Sequence, residues 1–199
     1  MLRRMTTLNV PPPRAPSLDE VVVIDTETGG LDPDRVSLLT LALVPGDGGA
    51  PLDLTIAEDE MVITPRSLEI TRLDPEALRR DGLKPAAACD RIDAWLASHA
   101  RGRRLICAGH NVAFDLAFTR RLYRLADRSL PDFFGHRTLD THTLLWALRS
   151  VGRLPVHVIG SDAAFAHFGI EPAPEDRHTA LGDARATRAL LDALLGLMR

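Results

Sequence analysis

The chain has 199 residues, 45% of them hydrophobic, which suits one folded domain with a sizeable core and excludes an intrinsically disordered protein. Its formal charge is -3, so no global basic field steers it toward a polyanion, and any nucleic-acid contact must come from a local patch. Cys89 and Cys107 stand in no metal-type spacing, the N-terminus lacks the apolar run of a secretory signal, and no stretch reaches membrane-spanning length. The expectation is a cytoplasmic protein with reduced thiols and no membrane partner.

Residues 1–18, with "PPPRAP", read as a flexible tail ahead of a single domain over residues 19–199. "VVVIDT", from Val21, is short, β-branched and continuous, the pattern of a buried strand. "LDPDR" is a turn and "VSLLTLALV" a second strand. "PGDGGA" is a further turn signal, and "LDLTIA" a third strand antiparallel to the second. Residues 61–85, with prolines at 65, 75 and 85, read as irregular apart from one helix, "PEALRRDG". "KPAAACDRIDAWLASHA" is helical, with Ile92, Trp95 and Leu96 on one stripe. "RLICAG" is a short strand, and "HNVAFDLAFTRRLYRLA" an amphipathic helix with Asn111 as its N-cap. "RTLDTHTLLWALRS" is a strand end followed by a helix capped near Asp140, "SDAAFAHFG" a short helix, and Thr179 to Leu197 the last helix. Three strands followed by alternating strands and helices predict an α/β domain: an antiparallel meander continued by βαβ crossovers. In such sheets the site lies at the carboxyl ends of the strands.

Three chemically loaded segments fall where that rule points. Asp25 and Glu27 are two apart in a strand, so both side chains project to one side. Two like charges so close disfavour joint ionisation unless a cation lies between them, and carboxylate oxygens suit Mg²⁺ or Mn²⁺. Asp115 follows "HNVAF" about one turn into its helix, among apolar neighbours. His178 and Asp183 would differ by about 140° on one helix, so they converge only if His178 lies on the preceding loop and Thr179 caps. Imidazole titrates near neutrality, which suits a general base. Taken singly, each segment also fits a structural role: a turn cap, a helix-dipole partner, a surface histidine.

The order "DTETGG…L", "HNxxFD", "HxAxxD" resembles the DnaQ-like, DEDD-type 3′–5′ exonucleases of the histidine variety, a group that includes the proofreading subunit of bacterial replicative polymerases. The resemblance spans residues 21 to about 195. It implies an RNase H-like three-layer fold with a five-stranded mixed sheet, three strands antiparallel and two parallel, flanked by helices. It further implies that Asp25, Glu27, Asp115 and Asp183 bind two divalent ions, Mg²⁺ or Mn²⁺, with His178 as general base. Thr28, Gly29, Leu31, Asn111 and Phe114 would contact the substrate, the 3′ end of single-stranded DNA or RNA. A DNA polymerase partner, a homodimer and a 3′ RNA-trimming role are open alternatives. The chain departs from many relatives at Gly29, where they carry threonine, and at "SLEITRLDPEAL", where they carry His-Gly-Ile. Arg120, Arg121 and Arg124, and less so Arg101, Arg103 and Arg104, are either phosphate contacts or a solvated face. His136, His142, His157 and His167 read as structural, and Trp95 and Trp146 as core.

Overall fold

The computed structural model describes residues 17–174 and 176–198. The tail expected over residues 1–18 lies outside them except for Ser17 and Leu18, and Leu18 begins a 3₁₀ turn, Leu18–Glu20. Five strands form one sheet: β1 (Val21–Thr28), β2 (Leu38–Pro45), β3 (Leu52–Thr55), β4 (Leu105–Gly109) and β5 (Phe134–Asp140), in the order β3-β2-β1-β4-β5. β1 pairs antiparallel with β2 and β2 with β3, while β1–β4 and β4–β5 are parallel. This is the mixed sheet expected from the sequence, with the meander first and the crossovers after it.

β1 reads as an unbroken apolar run because it is central and covered on both faces. Val22 and Ile24 pack toward α3 (Pro85–Ala100) and α4 (Val112–Leu125), against Ile92, Leu96, Leu116 and Phe118. Val21 and Val23 pack on the other face against Ala180, Ala184 and Leu191 of α7 (Ala180–Leu197). Alternation therefore sends Asp25 and Glu27 toward α7 and Thr26 toward α4. A third cluster, with Leu145, Leu148, Phe165 and Leu190, ties α5 (Thr141–Ser150) and α6 (Ser161–Phe168) to α7.

The region 61–85 is more ordered than its prolines suggest. It holds two helices, α1 (Pro65–Thr71) and α2 (Pro75–Asp81), where the sequence pointed to one. Each has a proline in its first turn and a preceding polar cap: Thr64 accepts from the Ser67 N–H, and Asp74 from the Glu76 N–H. Trp146 is not core: it is 63% exposed on the outer face of α5. Trp95 packs partly against the core, its indole N–H donating to the Ala50 carbonyl. Arg121 is neither a solvated residue nor a free phosphate contact, because it forms a largely buried pair with Glu58 at 2.8 Å. Arg124 pairs with Asp34, Arg103 with Glu20 and Arg104 with Asp132. Both cysteines are free and buried, and burial pushes the thiol pKa of Cys89 up to about 11. Among the described residues no helix is long and apolar enough to cross a membrane.

Candidate active site

The carboxyl end of β1 meets the start of α7 on one face of the sheet and the start of α4 on the other. Asp25, Glu27 and Asp183 each offer a carboxylate oxygen, and these oxygens lie within 4.8 Å of one another. Asp183 reaches them because Thr179 caps α7, accepting from the Gly182 N–H at 3.1 Å, which places Asp183 in the first turn. His178 precedes the cap in the left-handed region (φ 59°) and is exposed, off the helix as its spacing required. Gly182 lets this loop sit close: a Cβ there would lie 2.0 Å from the Asp176 carbonyl oxygen.

Asp115 arrives from the other face and stands outside the compact group of three. It is 4% exposed, and Thr26 Oγ1 donates to its Oδ1 at 2.7 Å. Thr26 lies between Asp25 and Glu27 in the strand, so β1 supplies two carboxylates to one face and the hydroxyl that holds Asp115 on the other. Its role was legible only through the face alternation. Arg177 was also missed: its guanidinium donates to Asp183 and to Asp162 of α6, with its centre 5.4 Å from the Phe165 ring centroid.

The electrostatics follow from crowding acids in a poorly solvated space. Burial is the largest cause raising the Asp25 pKa well above the carboxylate range, followed by the charges of Asp115, Glu27 and Asp183. Burial, then Asp183 and Asp115, pushes Glu27 up to about 8, with Arg177 opposing. Burial lifts Asp115 to about 7 against the hydrogen bond from Thr26. Asp183 is raised by burial and lowered by Arg177 and His178. Convergent, mutually repelling carboxylates are the donor set a hard divalent cation relieves. These residues fit such an ion.

Of the substrate-contacting residues expected from the sequence, Thr28 and Leu31 line a cavity together with Glu27. The Gly29 N–H donates to the Ser37 carbonyl at 2.7 Å, and the Gly29 carbonyl accepts from the Thr64 N–H at 2.8 Å. A Cβ at Gly29 would lie 2.2 Å from the Val62 carbonyl oxygen, so the threonine common in relatives has no room in this loop. Thr28 Oγ1 donates to the Gly30 carbonyl, and the Thr28 carbonyl accepts from the Ser67 hydroxyl. Beside this loop lies a largely apolar cavity of about 520 Å³, lined by Glu27, Thr28, Leu31, Ser67 and Ile70 among others. Leu31 is 86% exposed at its edge. Asn111 holds the N-cap position of α4, but its side chain makes no cap bond; its backbone N–H donates to Asp140 Oδ1 at 3.0 Å. Phe114 is half-buried, its ring centroid 4.9 Å from that of Phe118.

The family model described as Exonuclease, RNase_T, matches residues 22–191. The chain belongs to this exonuclease family. The RNase_T match takes in both faces of the site, from β1 to α7. The chain is 28% identical over 132 residues to the 3′-5′ DNA exonuclease Cap18 of Escherichia coli, covering 64% of this chain and 68% of that protein. Among solved structures it is similar to Exonuclease I from Methylocaldum szegediense, 26% identical with a TM-score of 0.67, covering 90% of this chain and 40% of that one. It is also similar to the zinc-bound E. coli ExoI–ssDNA complex, 22% identical with a TM-score of 0.71, again covering 90% and 40%. The chain thus spans about 40% of the length of these Exonuclease I chains. The common fold is RNase H-like.

Proposed function

We propose that residues 19–199 act as one exonuclease domain that hydrolyses phosphodiester bonds at the 3′ end of single-stranded DNA, releasing nucleoside 5′-monophosphates. The observation that carries this reading is the convergence of Asp25, Glu27 and Asp183 within 4.8 Å, with Asp115 held beside them by Thr26. Support for the polarity and for DNA comes from Cap18, named as a 3′-5′ DNA exonuclease, and from Exonuclease I, solved with single-stranded DNA.

Asp25, Glu27, Asp115 and Asp183 would hold two divalent cations, Mg²⁺ or Mn²⁺. When bound, such ions supply charge stabilisation at the phosphoryl group and at the leaving oxygen, and acidify water. The cavity beside Leu31 and Ile70 takes the terminal nucleotide, and the tethered loop at Thr28 and Gly29 fixes its position. Asn111 and Phe114, at the start of α4, would contact the next nucleotide. His178 accepts a proton at a ring nitrogen from the attacking water, from a loop that Thr179 and Gly182 hold against α7.

His178→Asn tests the proton role. It is expected to lower kcat about 10²- to 10⁴-fold, with metal affinity unchanged by calorimetry. A variant that keeps kcat within tenfold would remove His178 from the chemistry.

A further inference from the structure

The exposed face of α5 has a feature that the catalytic site does not use. Thr141, Leu145 and Leu148 point inward, while His142 and Trp146, one helical turn apart, share the outer face. His142 meets His110 edge to face, ring centroids 5.4 Å apart, and His110 Nδ1 lies 3.0 Å from Thr141 Oγ1. His110 adjoins Asn111, whose backbone N–H is held by Asp140 at the head of α5. The outer face of α5 therefore begins at the lip of the catalytic cleft and leads away from it. The Leu31–Ile70 cavity adjoins the end of β1, the central strand, whereas α5 follows β5 at one edge of the sheet. A track from that cavity along α5 would run across β4 and β5.

The chemistry of this surface suits that strand. Trp146 is 63% exposed, and Val156 and Ile159 of the following loop are exposed with it. A large, exposed indole is the kind of platform on which bases stack regardless of sequence. Between Asp140 and Asp162 the chain has no acidic residue, although it is net acidic overall; it carries Arg149, Arg153, His142 and His157 there. Arg149 has no carboxylate partner among the described residues; its Nη1 donates to the Val158 carbonyl at 3.5 Å, and Arg153 Nη1 donates to the Leu197 carbonyl. Asp140 and Asp162 bracket this run, and both charges act on His110.

We propose that His142 and Trp146 form a stacking track for the bases lying 5′ of the scissile bond, so that the enzyme holds single strands several nucleotides long better than dinucleotides. This inference rests on the exonuclease reading and deepens it. The test compares KM and kcat for dT2 and dT8 in the wild-type chain, Trp146→Ala and Trp146→Phe. Trp146→Ala is expected to raise KM for dT8 about five- to a hundredfold, with kcat unchanged and dT2 within twofold; Trp146→Phe keeps most of the wild-type affinity. In a Trp95→Phe, Asp25→Asn background, dT8 but not dT2 should quench the remaining tryptophan. An equal effect of Trp146→Ala on both lengths, or on neither, overturns the track. So does a Trp146-dependent dimer in sedimentation equilibrium with no quenching by dT8, which would assign the face to a second copy. If the wild-type chain shortens neither oligomer, the exonuclease reading fails by itself, and the quenching experiment still decides the track.

Discussion

Thr26 is the residue that joins the two halves of the site. Its neighbours Asp25 and Glu27 face α7, and its own hydroxyl reaches through the other face to Asp115. The bond is charge-assisted and buried, so losing it costs more than a surface hydrogen bond, about 1.5–3 kcal/mol. Thr26→Val keeps shape and β-propensity while removing the donor. We expect a folded protein whose Mn²⁺ affinity, by calorimetry, falls about ten- to a hundredfold, the scale typical for residues that orient metal ligands. Unchanged affinity would mean that Asp115 positions itself without Thr26. Arg177 has the opposite relation to the metal. Its guanidinium, which lies against Asp183 and Asp162, is a cation among carboxylates, so it would compete with a divalent ion for the same charge.

At the scale of elements, the site depends on loops packed so tightly that they exclude a side chain. Gly29 lies against the backbone of Val62 and Ile63, and Gly182 against that of Asp176. Gly29→Thr would restore the residue common among relatives but must push these backbones apart. It is expected to destabilise the protein by about 1–3 kcal/mol in urea denaturation, as overpacking does elsewhere. A neutral result would show that the 62–64 segment yields easily. The same scale explains what could be read from sequence. β1, β4 and α7 were legible because their signals are local: a β-branched run, a short apolar strand, a Thr cap followed by helical periodicity. α1 was missed because Pro65 reads as a breaker unless it is recognised as the first helical residue after the Thr64 cap. Trp146 was misplaced because apolar neighbours in sequence do not say which face of α5 is covered. Arg121 was misread because its partner, Glu58, is 63 residues away. The three acidic motifs were identifiable, but the division into a compact trio and a tethered Asp115 depends on which face of the sheet each helix covers, which only packing decides.

For the molecule as a whole, the acidic cluster couples stability to pH, and a divalent cation held there would add a metal dependence. Glu27 and Asp115 have pKa values raised to about 8 and about 7, above their ordinary 4.5 and 3.8. Between roughly those ordinary values and the raised ones, the folded state holds protons that the unfolded chain has released. Stability without divalent cations therefore falls as pH rises from about 4 to about 8. A bound cation takes the protons' place, so its stabilising effect grows with pH. Thermal unfolding in EDTA and in Mn²⁺ should show a larger metal-dependent rise in Tm at pH 8 than at pH 5.5. Equal shifts at both pH values would contradict a metal site built from these carboxylates.

The measurement closest to the central claim is the fate of a 5′-labelled single-stranded DNA oligonucleotide incubated with the chain and Mg²⁺ or Mn²⁺. The account predicts a ladder shortening from the 3′ end, release of nucleoside 5′-monophosphates, no reaction in EDTA, and a loss of about a thousandfold or more in Asp25→Ala, since several kcal/mol of charge stabilisation depend on that ligand. Immediate release of the labelled 5′ nucleotide, or undiminished shortening by Asp25→Ala, would contradict it.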